Sequence, residues 1–176
     1  MRFREESIIK VYRKANKNDV VQLTELRIKQ LLEEAGDHQK VRVDEDSKKL
    51  VNVNYNSNEL HQELVNYFAS SIADDSLAVW IAVDNDRIIA TCGVCFFQYP
   101  PTLTNVTGKI AYITDVYTEV EYRSQGIATK LLEFVMKEIN ERQFKMIRLH
   151  TSIQGRGLYE KIGFTDIDGF MVKRIG

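Results

Sequence analysis

Apolar and polar positions alternate along some stretches of this chain and recur every three to four residues along others. The two periods divide it into strands and helices. Residues Ile8 to Ala15 alternate, with Ile9, Val11 and Arg13 set against Ile8, Lys10 and Tyr12, as in an edge strand. Asn16 followed by Asp19 has the spacing of a helix cap. The helix it predicts carries Val20, Leu23, Leu26, Leu31 and Leu32, with Gly36 as its end. Asp37 to Asn58 is polar and aperiodic, either a solvated surface loop or a mobile substrate loop. Helical spacing returns from Glu59 to Ile72 through Leu60, Leu64, Tyr67, Phe68 and Ile72, with Ser57 or Asn58 as cap.

After a turn at Asp74-Asp75-Ser76, the apolar run Leu77 to Val83 reads as a buried strand. Asp84-Asn85-Asp86 has hairpin-turn chemistry and predicts an antiparallel partner from Arg87 to Gln98. Tyr99-Pro100-Pro101 stops that strand. Ile110 to Thr118 is the next strand. A helix from Ile127 to Arg142 bears one apolar stripe of Ala128, Leu131, Leu132, Val135, Met136 and Ile139. Lys145 to Thr151 follows as a strand, and a strand–helix–strand passage of this length predicts a parallel pair. A short helix from Gly155 to Ile162 ends at Gly163, and Phe164 to Ile175 reads as a last strand broken at Asp168-Gly169. The expected architecture is one α/β domain of mixed α+β character over residues 1–176. Its central sheet is mixed and mostly antiparallel, with helices on both faces.

Composition narrows the function classes. A net charge of −1 supplies no basic field for nucleic acid or an acidic membrane. No apolar run approaches the ~20 residues that span a bilayer, and the N-terminus lacks the apolar core of a secretory signal, so a cytoplasmic protein is expected. Cys92 and Cys95 form a C-x-x-C, a spacing used by redox and zinc sites. On a strand, however, residues three apart point to opposite faces, and no second pair exists, so no metal site is expected.

The stretch richest in chemistry is Ile113 to Leu132, where a strand feeds a helix through Ser124-Gln125-Gly126. The unpaired N–H groups and the dipole of a helix start suit a phosphate, and a glycine there lets the backbone approach a ligand. Arg123 and Lys130 add positive charge. The stretch carries neither a dinucleotide fingerprint nor a Walker A ending. Spacing alone leaves open an anion site or a helix that merely starts after a turn.

Arg123-Ser124-Gln125-Gly126-Ile127-Ala128 resembles the R/Q-x-x-G-x-G/A signature of the GNAT superfamily of acyl-CoA-dependent N-acetyltransferases. Val120-Glu121-Tyr122 before it and Thr129-Lys130-Leu131-Leu132 after it resemble the flanks of that motif. Leu158-Tyr159-Glu160-Lys161-Ile162-Gly163-Phe164 resembles the family's second motif at the right spacing. The resemblance implies a sheet whose parallel pair splays to admit acetyl-CoA as cosubstrate. It implies that the backbone from Gln125 to Thr129 holds the pyrophosphate, with Arg123, Ser124 and Gly126 in the same loop. Val116 and Thr118 would pair with the pantetheine arm. Tyr159 would protonate the departing thiolate. Ser152 stands where the family often has an asparagine that contacts the cofactor. The implied activity is acetyl transfer to a primary amine of a small molecule or protein through a ternary complex; the alternative is a non-catalytic acyl-CoA-binding or regulatory module. Members are often dimers, and the last strand is a candidate interface.

An alkyl amine with a pKa near ~10 needs a base to lose its proton, and a backbone N–H near Val116 suits an oxyanion. Asp115 shares a strand face with Tyr117, while Val116 faces the other way. Asp115 is the leading base, since a carboxylate inside an apolar strand is costly without a use; otherwise it is a satisfied structural carboxylate. Glu119, expected to be exposed, and His150 are the other candidates. Arg156 either meets a CoA phosphate or caps the short helix. The acceptor is expected between the first two helices and the loops Asp37 to Asn58 and Tyr99 to Lys109. Asp44, Glu45 and Asp46 there are either an amine attractant or a solvated cluster, and Phe96, Phe97 and Tyr99 are candidate pocket walls.

Overall fold

The computed structural model describes residues 10–41, 57–152, 155–167 and 173. Its strands are β1 (Val11–Lys14), β2 (Leu77–Asp84), β3 (Arg87–Gln98), β4 (Lys109–Thr118) and β5 (Met146–Leu149). Its helices are α1 (Val20–Val41), α2 (Ser57–Ala73), α3 (Ile127–Glu141) and α4 (Arg156–Glu160). The strands form one sheet in the order β1-β2-β3-β4-β5, with β1 at an edge, as its alternation predicted. Neighbours are antiparallel except β4 and β5, which are parallel.

Both faces of the sheet are covered, which is why β2 reads as a continuous apolar run. Leu77, Val79 and Ile81 point to one face and pack with Leu23 and Leu26 of α1 and Phe68 of α2. Ala78 and Ala82 point to the other, with Cys92, Val94, Ala111 and Ile113, against Ile127, Leu131, Leu132, Val135 and Ile139 of α3. The short side chains on that second face let α3 lie close to the strands. The β2–β3 connection is a two-residue turn with φ of 47° at Asn85 and 63° at Asp86, the doubly positive geometry that Asn and Asp tolerate. Cys92 is buried on the α3 side and Cys95 packs against the other core, so the pair is divided between faces. Both cysteines are free.

Several boundaries differ from expectation. Gly36 does not end the first helix; α1 runs on to Val41. A mid-helix glycine costs only about 1 kcal/mol relative to alanine, which the surrounding turns carry. Residues 37–41 of the expected loop are therefore helical, and Ser57 and Asn58 belong to α2. Residues 42–56, with Asp44, Glu45 and Asp46, lie outside the described residues, as do Ile8 and Ile9 of the expected first strand. Leu32 lies on the outer side of α1, 48% exposed. Residues 164–167 form no strand, and most of the remaining expected last strand lies outside the described residues. Among the described residues, no helix is long and apolar enough to cross a membrane.

The start of α1 is a full capping box on a 3₁₀ turn. The Asn16 side chain accepts from Asn18 N at 2.9 Å, and Asp19 Oδ2 accepts from Asn16 N at 2.8 Å. Arg13 donates to both Asp19 oxygens, at 2.7 and 2.8 Å, tying β1 to α1. These bonds hold the Asp19 carboxyl below its ordinary value of 3.8. Asp19→Ala is expected to cost about 1–2 kcal/mol, read as a lowered Tm. Because the native value is depressed, the contribution is complete above the ordinary value and fades as pH falls through the native one. Melting curves that stay parallel from pH 7 down to pH 2 would contradict this.

Candidate functional site

The turn between β4 and α3 is built from two left-handed residues. Ser124 has φ of 59°, and Gly126, the residue preceding α3, has φ of 77° and ψ of 4°. No side chain caps the helix, so its first-turn N–H groups stay available. A Cβ on Gly126 would meet no atom within 4 Å, so the missing side chain leaves open space beside these donors. A concavity of ≈ 200 Å³ occupies that space, lined by Thr118, Tyr122, Arg123, Ser124, Gly126, Ile127, Ala128 and Thr129. Thr118 Oγ1 is buried at its edge and has no hydrogen-bond partner among the described residues. Uncapped donors, a helix dipole and an orphan hydroxyl together make a site for an anion with several acceptor oxygens.

The formal charges near the turn are already committed. Arg123 donates to Thr118 O at 2.9 Å and to Glu33 of α1 at 2.6 Å, and its guanidinium lies over the Tyr117 ring. Lys130 is paired with Glu133 at 2.8 Å. The Gln125 side chain bonds Lys10 and Glu121 O, and it does not line the concavity. Anion attraction at this turn therefore falls chiefly to the backbone.

β4 runs on to Thr118, but β5 pairs with it only from Ile110 to Ile113. Past Ile113, β4 has no strand partner on that side among the described residues. The divergence coincides with a β-bulge. Thr91 lies opposite Tyr117 and Gly93 opposite Thr114, so Asp115 and Val116 together oppose Cys92. Asp115 takes a left-handed φ of 51°. The bulge reverses which residues face which core: Ala111 and Ile113 face α3, while Tyr117 faces α1. Asp115 and Tyr117 do share a face, and Val116 packs on the other, but the bulge rather than simple alternation puts them there.

Across the gap, α4 ends in a Schellman motif. Phe164 N donates to Tyr159 O and Gly163 N to Glu160 O, both at 3.1 Å, with Gly163 at φ of 93°. The rings of Tyr159 and Phe164 meet edge-on at 5.8 Å. The spacing of Tyr159, Gly163 and Phe164 is thus the chemistry of a helix end that seats Tyr159, 6% exposed, in the α3-side core. Burial, and then the nearby Cys92, push the phenol above its ordinary 10.0.

The sequence matches the model of the acetyltransferase (GNAT) family over residues 30–164. The chain belongs to the GNAT acetyltransferase family. It is 36% identical to a predicted acetyltransferase from Clostridium acetobutylicum solved with acetyl-CoA, with a TM-score of 0.78 over 94% of this chain and 96% of that one. An N-alpha-acetyltransferase 30 from Schizosaccharomyces pombe is 35% identical over 88 residues, 48% of this chain and 55% of its own. A thialysine N-epsilon-acetyltransferase from Sus scrofa is 29% identical over 80 residues, 44% of this chain and 47% of its own. The chain spans about half the length of the curated relatives it matches.

Within this GNAT fold the remaining candidates separate. Asp115 is nearly buried and paired with Arg27 of α1 at 3.1 Å. Burial raises its carboxyl above 3.8, and Arg27 offsets only part of that. Glu119, expected to be exposed, is instead 5% exposed and bonded to Lys29 at 2.7 Å and Arg87 at 2.9 Å. Burial pushes its carboxyl up, but these two cations more than offset it and leave it below its ordinary range. It joins α1, β3 and the β4 end as a structural acid. His150 is exposed just past β5. Ser152 Oγ accepts from Gly155 N at 3.1 Å, so it closes the turn into α4. Arg156 donates to Asp166 at 2.7 and 2.9 Å and to Glu160 at 3.1 Å, which commits its charge locally. Phe96 packs inward on Phe144, while Phe97 and Tyr99 form an exposed edge-on pair.

Four site residues of α1 have no counterpart among the sequence candidates: Arg27, Gln30, Glu33 and Glu34. Arg27, Gln30 and Glu33 reach β4 or the turn after it, and Glu34 accepts a hydrogen bond from Gln30. Their signal was present in the spacing. The face of α1 that carries Val20 and Leu23 continues at helical intervals into Arg27, Gln30 and Glu34, so the apolar stripe turns polar where it crosses the bulge.

Proposed function

We propose that this GNAT protein is an N-acetyltransferase that moves the acetyl group of acetyl-CoA to a primary amine within a ternary complex. The observation that carries this is the concavity at the β4–α3 turn, where uncapped backbone donors and the orphan Thr118 hydroxyl fit a pyrophosphate. The thioester supplies an activated acetyl group. The backbone from Gln125 to Thr129 holds the pyrophosphate, and the free edge of β4 at Val116 and Thr118 offers the pantetheine an extended partner. Arg123, Ser124, Gly126, Ile127 and Ala128 shape the loop. In this reading Ser152 shapes the loop into α4 and leaves the main cofactor contacts to the turn.

Asp115 faces α1 and Tyr159 sits in the α3-side core, and in this reading the first serves as base and the second as acid. Asp115 takes a proton from the acceptor ammonium, and its raised affinity for protons makes it a better acceptor than an ordinary aspartate. The neutral amine nitrogen bonds to the acetyl carbon as the carbon–sulfur bond breaks, Tyr159 gives its proton to the sulfur, and the extra proton left on the new amide nitrogen is released as the Tyr159 phenolate is reprotonated through solvent. The names of two relatives, for thialysine N-epsilon and N-alpha acetylation, support an amine acceptor.

Calorimetric titration with acetyl-CoA, followed by thiol release across a panel of amines, tests the reading. Micromolar binding and amine-dependent thiol release are expected. The acid limb of kcat/KM should lie above the ordinary aspartate range and disappear in Asp115→Asn. Failure to bind acetyl-CoA would end the proposal; binding without turnover on any amine would leave a non-catalytic CoA-binding module.

A further inference from the structure

Backbone donors attract an anion within the β4–α3 turn, and one formal charge reaches the turn from the far end of the chain. Lys10 lies just before β1, 115 residues ahead of Gln125. β1 runs antiparallel to β2 with Val11 opposite Val83, so the chain entering β1 passes the end of β2 at Asp84. Alternation gives Lys10 the same side of the strand as Tyr12, which packs against the α3-side core. Lys10 Nζ donates to Gln125 Oε1 at 2.5 Å and lies 5.5 Å from the centre of the Tyr122 ring.

Both partners are themselves held. Gln125 Nε2 donates to Glu121 O at 3.1 Å, which leaves Oε1 turned to the lysine. Tyr122 OH donates to Asp84 Oδ2 at 2.7 Å, and Asp84 is buried at the end of β2. Tyr122 also lines the concavity that Gly126 opens. Lys10 therefore stands at the rim of that concavity, on a ring that forms part of its wall.

These partners hold the lysine without neutralising it. An amide oxygen offers a partial charge and a ring face a quadrupole; neither carries formal negative charge. Arg123 and Lys130 differ, since each is paired with a glutamate. Among the described residues Lys10 forms no such ion pair. An ammonium also has three donors, and the bond to Gln125 uses one. The start of α3 contributes only about half a positive charge. Coenzyme A brings a pyrophosphate and a ribose phosphate, far more negative charge than that.

We propose that Lys10 is a cofactor-binding residue whose ammonium contacts a phosphate of acetyl-CoA, held ready for it by Gln125 and Tyr122. This rests on the reading above that places the cofactor at the turn. Gln125 is then a positioning residue that acts through Lys10, and Asp84 acts through Tyr122. A seat of ring and amide lowers the cost of ordering a long side chain when the ligand arrives. The edge strand β1, three strands away from β4, thereby contributes to the cofactor site.

The test is calorimetry with acetyl-CoA and with acetyl-dephospho-CoA, which lacks the ribose phosphate, at about 50 and about 300 mM salt. It compares wild type, Lys10→Gln, Lys10→Arg, Gln125→Ala and the double variant Lys10→Gln/Gln125→Ala, each checked by melting to be folded. Lys10→Gln should weaken acetyl-CoA binding about tenfold at the lower salt, and the gap should narrow at the higher, because salt screens an exposed charge. Lys10→Arg should stay within about threefold of wild type. Gln125→Ala should weaken binding by several fold alone and add nothing to Lys10→Gln, since it acts through the lysine. A loss confined to acetyl-CoA assigns the contact to the ribose phosphate, and a loss shared with acetyl-dephospho-CoA assigns it to the pyrophosphate; either supports the proposal. If Lys10→Gln binds acetyl-CoA as wild type does at the lower salt, Lys10 is no phosphate contact and the N-acetyltransferase reading stands without it. A loss that is equal at both salts and not restored by arginine would likewise overturn the proposal. If wild type itself fails to bind acetyl-CoA, that reading falls and the role of Lys10 falls with it.

Discussion

Gly126→Glu is expected to weaken acetyl-CoA binding at least ~100-fold, about 2.7 kcal/mol, while the protein stays folded. Two effects act together. The new carboxylate enters the space beside the first-turn N–H groups of α3, where a Cβ now meets nothing within 4 Å. It repels the pyrophosphate and also competes for the same donors, as a side-chain anion at a helix N-terminus does. The backbone adds strain, because φ of 77° costs a residue with a Cβ about 1–2 kcal/mol. The favourable dipole interaction of a glutamate there, about 0.3–1 kcal/mol, offsets part of that strain, so loss of binding should far exceed loss of stability. Gly126→Ala separates the terms, since it carries the strain without the charge. Calorimetry should find Gly126→Ala weakened only modestly. Equal affinity in Gly126→Glu and wild type would remove the turn from the cofactor site.

Tyr159→Phe is expected to lower kcat by about 10²- to 10⁴-fold with acetyl-CoA affinity nearly unchanged. The substitution keeps the ring that packs edge-on against Phe164 and so keeps the Schellman end of α4. Only the hydroxyl is lost. Burial holds the wild-type phenol above its ordinary value, so Tyr159 stays protonated across the neutral range and is competent as an acid throughout it. The kcat profile of wild type should accordingly show no basic limb from this group below about pH 10. A Tyr159→Phe enzyme with wild-type kcat would make the tyrosine a packing residue and leave the thiolate to solvent.

The two motifs were legible because each is local chemistry. The turn Ser124-Gln125-Gly126 needs residues that accept a positive φ just before a helix, and Tyr159 to Phe164 encodes a helix end within six residues. Short-range backbone requirements of this kind survive in any reading of the chain. Glu119 was misjudged as exposed because its partners Lys29 and Arg87 come from elements 90 and 32 residues away. Gly36 misled because a glycine's cost is small enough for neighbouring turns to override. Arg123 was read as charge for a ligand, and Arg156 as either a phosphate contact or a cap of the short helix. Their acids, Glu33 and Asp166, are close only after folding.

By itself, the sequence determined the order of most elements, the burial of β2 on both faces and the strand–turn–helix passage at Ser124-Gln125-Gly126, since each follows from period or turn chemistry within a short window. Tertiary structure alone decided which charges are matched. The β4 bulge at Asp115 and Val116, just past the last residue paired with β5, turns Asp115 and Tyr117 toward α1. There Arg27, Gln30 and Glu33, more than 80 residues earlier in the chain, meet that stretch of β4. Electrostatic compensation depends on distance in space, and no periodicity along the chain records it.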